Sequence, residues 1–310
     1  MKPQRKRIAV ACQGGGSHTA FTAGVLDRIL QDEHHLVALS GTSGGAICAL
    51  MAWYGLLHRD RRMGRALLES FWEANAAASW PDRLLNGLVT GGVRLRNWVS
   101  APEVSPYVLP DWGQRRLRAL LGEHVDFAGI PALLGPDSPS LFVGAVEVLS
   151  GTFRVFRDHE ITADAILASA AIPTLFRAVP VGAGLYWDGL FSHNPPVRDL
   201  PDAKPDQIWV VQINPRASTA EPRTVEEILD RRNELSGNLS LEQELHFIEK
   251  INEFVRQGAF SHDRYKIIEI RRIEMAWDLD YASKLDRDPA FLRALMDHGR
   301  ERAEEFLVSA

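Results

Sequence analysis

The sequence contains few cysteines, no long hydrophobic run and no excess of positive charge. Two cysteines among 310 residues, Cys12 and Cys48, indicate neither a disulfide framework nor a cysteine-based metal site. Both lie in apolar runs, so we expect buried free thiols. A net charge of −5 argues against nucleic-acid binding. Histidines and carboxylates do not occur at metal-ligand spacing such as H-E-x-x-H, so we expect no metal or other cofactor.

No segment approaches the length of a transmembrane helix. The basic residues 1–7 precede an apolar run, residues 8–12, that is too short for a secretory signal. We therefore expect a cytoplasmic protein. The basic terminus could make a transient, peripheral contact with an anionic membrane surface, although a terminus surrounded by water is the simpler expectation.

Strands and helices alternate at the start of the chain. The apolar patterns predict a strand at residues 7–12, a helix at 19–31, a strand at 35–39 and a helix at 47–57. This order predicts an α/β fold with a mostly parallel central sheet. Both loops that follow the strands then emerge at one edge of the sheet, where ligands bind.

The middle of the chain, residues 59–140, breaks this pattern. Residues 59–65 predict a helical turn in water, residues 66–78 a helix, and residues 80–110, rich in glycine and proline, an irregular segment. Five of the eight tryptophans lie within residues 53–112. They predict either core packing beneath long loops or an apolar wall or lid for an apolar substrate. These five are Trp53, Trp72, Trp80, Trp98 and Trp112.

The alternation resumes after residue 140. The predicted strands cover residues 140–149, 152–157, 184–187, 208–213 and 265–273. The predicted helices cover residues 162–171, a segment that begins at the capping box Thr224 to Glu227, another that begins at Ser240 to Gln243, and residues 288–307.

No repeat, low-complexity tract or linker divides the chain. We therefore expect a single domain over residues 1–310. Its motif-bearing core would span residues 7–215, with residues 59–140 as a variable segment. Residues 216–310 would add helices and one strand at the C-terminal end.

The pattern Gly41-x-Ser43-x-Gly45 lies between the second predicted strand and the helix that follows. It is typical of a nucleophile elbow, a tight strand-to-helix turn that exposes the central serine. Glycines flank such a turn because neighbouring Cβ atoms would clash. The pattern also occurs by chance in ordinary glycine-rich loops. The interpretation of Ser43 as a nucleophile therefore needs support from a base and from oxyanion donors.

Three consecutive glycines, Gly14, Gly15 and Gly16, follow the first strand and are candidate oxyanion donors. Successive backbone N–H groups without side chains can converge on one anion. A flexible turn or a phosphate-binding loop would be the alternative. No Gly-Lys-Ser/Thr follows, and Thr19 stands where a dinucleotide motif requires glycine, so neither phosphate motif fits.

The possible mechanisms differ in which residue acts as the base. An α/β-hydrolase places several strands before its elbow and a histidine after it, whereas only one strand precedes Ser43 here. His193 is the nearest histidine candidate. Asp188, followed by Gly189, comes at the end of a predicted strand and can lie at the same edge of the sheet as Ser43. An ordinary Asp-Gly turn is the alternative interpretation.

Four separated blocks, residues 14–16, 41–45, 168–173 and 186–189, occur in this order. Together they resemble the bacterial patatin-like phospholipase family, over most of residues 7–215. The resemblance implies a three-layer α/β/α fold and a lipid acyl hydrolase with a Ser–Asp dyad and no catalytic histidine.

By this resemblance Ser43 attacks the ester carbonyl and Asp188 acts as the general base. The amides of residues 14–16 would stabilise the oxyanion. The implied substrate is a lipid or another acyl ester, as for a phospholipase A, a lysophospholipase or an esterase. A thioesterase or a polyester depolymerase would use the same chemistry.

Four residues depart from the family pattern. Gln13 stands in place of an aspartate, His18 in place of a basic residue and Thr19 in place of a glycine. Leu190 follows the Asp-Gly pair where the family usually has glycine or alanine. Because histidine is mostly neutral at pH 7, the positive charge of the loop would be weaker or pH-dependent. These departures motivate an alternative function, a silenced or non-enzymatic protein that binds a ligand or regulates a partner.

Overall fold

The computed structural model describes residues 5–95, 104–108, 110–218, 220–261 and 265–309. Its strands are β1 (Arg7–Cys12), β2 (His35–Thr42), β3 (Ser140–Glu147), β4 (Phe153–Arg157), β5 (Val179–Val181), β6 (Gly184–Asp188), β7 (Gln207–Gln212) and β8 (Glu269–Glu274). Its helices are α1 (Ala20–Gln31), α2 (Gly44–Leu57), α3 (Arg61–Asn75), α4 (Trp80–Leu95), α5 (Trp112–His124), α6 (Ile130–Leu133), α7 (Ala163–Ser169), α8 (Val225–Arg256) and α9 (Pro289–Val308).

The central sheet is mostly parallel. Strands β3, β2, β1, β7 and β8 lie side by side in that order and run in the same direction. Strands β4 and β6 are antiparallel to β3, and β5 is antiparallel to β6. The predicted α/β class is therefore confirmed. Strand β5 was not predicted, because three residues are too few to show an alternating pattern.

Helices cover both faces of the sheet. Along β1, Val10 enters a core formed with α1, α2 and α9, whereas Ala9 and Ala11 enter a second core with α8. This produces the three layers that the family resemblance implies. Burying a side chain such as valine contributes roughly 1.5–3 kcal/mol. Burial on both faces explains why the central strands are continuous apolar runs.

Strand β3 aligns two other strands along one of its edges. Its residues up to Gly144 pair with β2, where Gly144 lies opposite Thr42. From Ala145 onward the same edge pairs with β6, and Ala145 lies opposite Asp188. The edges must be the same, because β4 occupies the other edge along both stretches. Strand β6 therefore continues the line of β2 in reverse, and Asp188 lies next to the end of β2.

The variable segment is more helical than predicted. Residues 61–75 form one helix, α3, where a turn and a separate helix were expected. The expectation of an irregular segment from residue 80 is wrong, because α4 spans Trp80–Leu95. Pro81 lies in the first turn of α4, where no backbone N–H is required, and glycine within a helix costs only about 1 kcal/mol.

The tryptophans of this segment divide between core and surface. Trp53 and Trp72 are buried, and the indole N–H of Trp53 donates to the carbonyl oxygen of Pro139. Trp80 and Trp112 are exposed. Trp98 lies outside the described residues, as do residues 1–4 of the basic terminus.

The C-terminal helices test two capping predictions. The box at Thr224 is confirmed, because its hydroxyl accepts from the backbone N–H of Glu227 and α8 begins there. The box at Ser240 is wrong, because α8 continues through it to Arg256. The Ser240 hydroxyl instead donates to the carbonyl oxygen of Ser192. Among the described residues, no helix has both the length and the apolar character to cross a membrane.

Cys12 and Cys48 are buried free thiols, as predicted. Cys12 ends β1, and the Cys48 thiol of α2 lies 3.3 Å from the carbonyl oxygen of Thr19. Burial raises the pKa of both thiols, that of Cys48 to about 12. Both therefore remain protonated at neutral pH.

Helices α1 and α9 approach closely enough to require glycine at their contact. A Cβ atom on Gly24 would lie 1.9 Å from the carbonyl oxygen of Met296. We expect Gly24→Ala to lower the free energy of unfolding by about 1–3 kcal/mol, since the backbones would have to separate. A Cβ atom on Gly87 in α4 would meet no neighbour within 4 Å. Gly87→Ala should therefore raise the free energy of unfolding by roughly 0.5–1 kcal/mol.

Urea denaturation followed by circular dichroism would measure both variants against the wild type. Gly87→Ala is the matched control, because it makes the same chemical change in a helix without a close neighbour. Equal effects of the two substitutions would contradict the close contact of α1 and α9.

Candidate active site

Ser43 lies in the turn between β2 and α2, which we call the serine turn. Its backbone has φ 55° and ψ −131°. A positive φ at a serine is strained by roughly 1–3 kcal/mol, and such strain concentrates at functional sites. A Cβ atom on Gly45 would lie 2.3 Å from the carbonyl oxygen of Cys12, and one on Gly41 would lie 2.6 Å from the nitrogen of Ala46. Both glycines of the motif are therefore required by close backbone contacts.

Ser169 holds this turn in place. Its hydroxyl accepts from the backbone N–H of Ser43 at 3.0 Å and donates to the carbonyl oxygen of Gly144 at 2.6 Å. The Ser169 side chain thus links α7, the serine turn and β3. Ser169 lies in the block of residues 168–173 that carries the family resemblance, but no role was predicted for its side chain. Its signal was a lone hydroxyl after the apolar run of residues 165–168.

Asp188 is fully buried at the end of β6. Its Oδ1 accepts from the backbone N–H of Leu190 at 2.8 Å, and its own N–H donates to the carbonyl oxygen of Ala171 at 3.0 Å. Its Oδ2 has no partner of hydrogen-bond geometry among the described residues. Burial raises the pKa of Asp188 to about 7, while the nearby Ser43 hydroxyl and the Leu190 N–H act in the opposite direction.

Residues 14–16, which we call the glycine loop, pack directly against the serine turn. A Cβ atom on Gly14 would lie 2.9 Å from the Cβ of Ser43. The Gly14 N–H donates to Oδ1 of Asn194 at 2.6 Å, and the Gly14 carbonyl accepts from the same side chain at 3.2 Å. The N–H groups of Gly15 and Gly16 have no acceptor among the described residues. These two amides are therefore available to a ligand, whereas that of Gly14 is occupied.

Two features require glycine at position 16, a left-handed backbone conformation and a close backbone contact. Its φ is 59°, and a Cβ atom there would lie 2.2 Å from the carbonyl oxygen of Lys284. Lys284 belongs to a 3₁₀ turn, Tyr281–Leu285, which we call the bracing turn. The Lys284 ammonium pairs with Asp230 of α8 at 2.6 Å. The bracing turn thus connects the glycine loop to α8.

Gln13 explains one departure from the family pattern. Its Oε1 accepts from the backbone N–H groups of Ile213 and Asn214, at 3.0 and 2.9 Å. Its Nε2 donates to Oδ1 of Asn238 at 2.9 Å. An aspartate could accept but not donate, so the amide suits this buried position between β7 and α8.

His18 explains a second departure. Its ring is buried, and Nε2 lies 2.8 Å from the hydroxyl of Ser283. Burial, with a smaller contribution from the Lys284 ammonium, lowers the pKa of His18 to about 3. The imidazole is therefore neutral throughout the physiological range. The sequence left two possibilities for the loop at His18, a weaker positive charge or a pH-dependent one. A neutral imidazole agrees with the first and not with the second.

His193, the rival base, has other neighbours. Its ring packs against Phe153, with ring centroids 4.3 Å apart, and its Nδ1 lies 3.3 Å from a carboxylate oxygen of Glu244. Burial lowers the pKa of His193. Its backbone carbonyl accepts from the Thr42 hydroxyl, so His193 contributes to the serine turn through its main chain.

A cleft of about 1160 Å³ opens over Ser43, Asp188, Gly15 and Gly16. Its walls combine apolar side chains with an ion cluster from α8 and the bracing turn. The apolar walls include Ile172, Pro173, Leu190, Phe191 and Leu229. A serine in a strained turn, a carboxylate of raised pKa and two available amides in an apolar cleft define a site suited to acyl transfer.

The family model described as "Patatin-like phospholipase" matches residues 10–201 of the chain. This match covers more than half of the sequence and contains the glycine loop, Ser43 and Asp188. The chain therefore belongs to the patatin-like phospholipase family. A search of curated proteins found no match.

Solved structures show more distant similarity. The chain is 13% identical to VipD from Legionella pneumophila, with a TM-score of 0.48, and the match covers 99% of this chain and 67% of VipD. It is 14% identical to the type III effector protein ExoU, with a TM-score of 0.40, over 97% of this chain and 53% of that one. ExoU in its complex with SpcU from Pseudomonas aeruginosa gives 12% identity, a TM-score of 0.38 and coverage of 99% and 52%. The chain thus spans about half the length of ExoU.

The raised pKa of Asp188 predicts a specific dependence of stability on pH. Its pKa of about 7 in the folded protein exceeds its ordinary value of 3.8, so the folded protein retains a proton that the unfolded chain releases. The stability from this group is fully present below about pH 4 and is lost as the pH rises through about 7. Asp188→Asn removes this loss. Relative to the wild type, its free energy of unfolding should rise by roughly 3–5 kcal/mol between pH 4 and pH 8.

Urea denaturation at a series of pH values would measure this difference. Asp137→Asn, which removes an exposed carboxylate, is the control and should run parallel to the wild type. A constant difference between Asp188→Asn and the wild type over this range would contradict the raised pKa.

Proposed function

We propose that the chain is a serine acyl hydrolase that cleaves carboxyl esters of lipids, as a phospholipase A, a lysophospholipase or an esterase does. Ser43 is the nucleophile and Asp188 the general base. The observation that carries this proposal is the pairing on β3, which brings Asp188 next to the end of β2. Membership of the patatin-like phospholipase family supports a lipid ester as the substrate.

The proposed reaction proceeds in two steps. In the first, Asp188 accepts the proton of Ser43 as Oγ attacks the ester carbonyl carbon. The N–H groups of Gly15 and Gly16 donate to the oxyanion that forms. The tetrahedral intermediate then expels the alcohol, which receives the proton from Asp188, and an acyl-enzyme remains. In the second step water attacks this ester while Asp188 accepts its proton, and Asp188 returns that proton to Oγ of Ser43 as the fatty acid is released.

Gly14 has a different role in this proposal from the one that the sequence suggested. Its N–H is occupied by Asn194, so it would shape the loop and leave donation to Gly15 and Gly16. Asn194 would then be a positioning residue. The apolar walls of the cleft suit an acyl chain, and a volume of about 1160 Å³ is ample for one.

A non-enzymatic role in ligand binding or regulation is the alternative. The occupied Gly14 N–H and the neutral His18 favour it, because both reduce the positive potential at the oxyanion position. A thioesterase or polyester depolymerase would differ from the main proposal only in the substrate. A chain-length series of esters and phospholipids, with Ser43→Ala as control, would separate these substrates.

We expect Ser43→Ala and Asp188→Asn each to lower the hydrolysis of p-nitrophenyl acyl esters by at least about 1000-fold, because each removes a group from the covalent step. A fluorophosphonate probe should label the wild type and not Ser43→Ala. Ser105→Ala removes another serine of the cleft and is the matched control, which should retain labelling.

Absence of labelling in the folded wild type would support the non-enzymatic alternative. Activity that survives Asp188→Asn but is lost in His193→Ala would instead indicate a Ser–His mechanism.

The pH dependence of catalysis offers an independent test. Asp188 must be ionised to accept the Ser43 proton, and its pKa is about 7. We expect kcat/KM for a soluble p-nitrophenyl ester to rise with pH through an inflection near 7. A profile that stays flat from pH 5 to pH 8 would contradict the assignment of Asp188 as base.

A further inference from the structure

Helix α4 presents its apolar face to solvent and its polar face to the protein. Its residues Asn86 and Thr90 are buried on the side that faces the protein. A surface helix ordinarily buries its apolar stripe and exposes its polar residues, so α4 is inverted. Its exposed apolar residues are Trp80, Leu84, Leu85, Leu88 and Val89, with Trp80 at 75% and Leu88 at 65% exposure.

Polar contacts fix this orientation. The Asn86 side chain donates to a carboxylate oxygen of Asp286 at 2.7 Å and accepts from the backbone N–H of Arg287 at 2.9 Å. The Arg287 guanidinium donates to Asp82 at 3.1 Å. Rotating α4 to bury its leucines would break all three contacts, at a cost in unpaired polar groups. The outward apolar face is therefore a built feature of the fold.

Helix α4 is connected to the cleft through the bracing turn. Asp286 and Arg287, which hold α4, directly follow the bracing turn, and that turn lines the cleft. Helix α8 also contacts the bracing turn and begins with exposed apolar residues. Two of these, Val225 and Leu229, line the cleft themselves. Apolar surface thus extends from the cleft onto the start of α8, and α4 contacts the same bracing turn.

The composition of this face favours a bilayer over a protein partner. The five exposed side chains of α4 present on the order of 500 Å², at the upper end for an apolar patch on a monomeric protein. An interfacial helix needs only one apolar stripe, and tryptophan, as at position 80, prefers the membrane–water interface.

We propose that the outward face of α4, together with the exposed start of α8, docks the mouth of the cleft onto a lipid bilayer. This inference rests on the proposed function, since docking gives a lipid ester a direct path from the bilayer to Ser43. Arg232 of α8 is exposed at the cleft and forms no ion pair with any described residue. Its charge favours bilayers that contain anionic phospholipid.

Binding can be measured without turnover on the full chain carrying Ser43→Ala. The probe is sedimentation with phosphatidylcholine vesicles that contain a minority of phosphatidylglycerol. Leu88→Asp should weaken vesicle binding roughly tenfold, and Leu88→Trp should strengthen it. Val308→Asp, at a residue of α9 that is 79% exposed, is the matched control and should bind like the parent. Arg232→Gln should reduce the preference for phosphatidylglycerol-containing over pure phosphatidylcholine vesicles.

Hydrolysis of a short soluble p-nitrophenyl ester, measured with Ser43 intact, separates docking from chemistry. Leu88→Asp should hydrolyse it at the wild-type rate, which also shows that the variant folds. No vesicle binding by the parent, or equal binding by Leu88→Asp, would overturn the proposal. A dimer in ultracentrifugation that Leu88→Asp dissociates, with vesicle binding unchanged, would assign the face to a second copy. Vesicle binding without ester hydrolysis would support docking and contradict the proposed function.

Discussion

The buried carboxylate of Asp188 is the constraint on which the arrangement of the site depends. It has no exposed surface, and one of its oxygens has no hydrogen-bond partner among the described residues. Ionising a group in such a position is costly, and this cost is what raises its pKa to about 7. An ordinary aspartate is a weak base, whereas one with a pKa near neutrality accepts a proton readily. The desolvation that destabilises the folded protein thus gives Asp188 the pKa that its proposed role as general base requires.

Strand pairing, not loop flexibility, positions the groups of the site. Thr42 and Asp188 lie opposite consecutive residues of β3, and Ser169 connects the serine turn to the same strand. A slip of one residue in β6 would turn Asp188 to the other face of the sheet. Two apolar cores, one on each face, oppose such a slip. The precision of the site therefore derives from the sheet as a whole.

The sequence predicted the elements with strong local signals. Strand β1 and helix α9 were correct almost to the residue, since a short apolar run and an Asp-Pro start are local features. The position of Asp188 at the correct edge was also predicted, but not that β6 runs antiparallel, because pairing between distant strands leaves no local pattern. Helix α4 was missed for a related reason. Its glycines and Pro81 predict a loop, and its stability depends on Asp286 and Arg287, two hundred residues away.

The roles of single groups in the site were the least predictable. Three adjacent glycines look equivalent in sequence, yet Asn194 occupies the amide of one and leaves two available. A pH-dependent charge was one of two expectations for His18, and only its burial beside Ser283 shows that it stays neutral. Both outcomes depend on contacts between residues more than 150 positions apart, which a single sequence does not encode in any local motif.

The burial of the two cysteines affects how the protein can be probed and handled. Thiols react with electrophiles and oxidants as thiolates, and neither Cys12 nor Cys48 can ionise at neutral pH. An electrophile that enters the cleft therefore meets a hydroxyl and no competing sulfur. Reagents that are selective for serine can be used without first blocking thiols. The folded protein should also need no reducing agent to keep these two thiols from being oxidised by air.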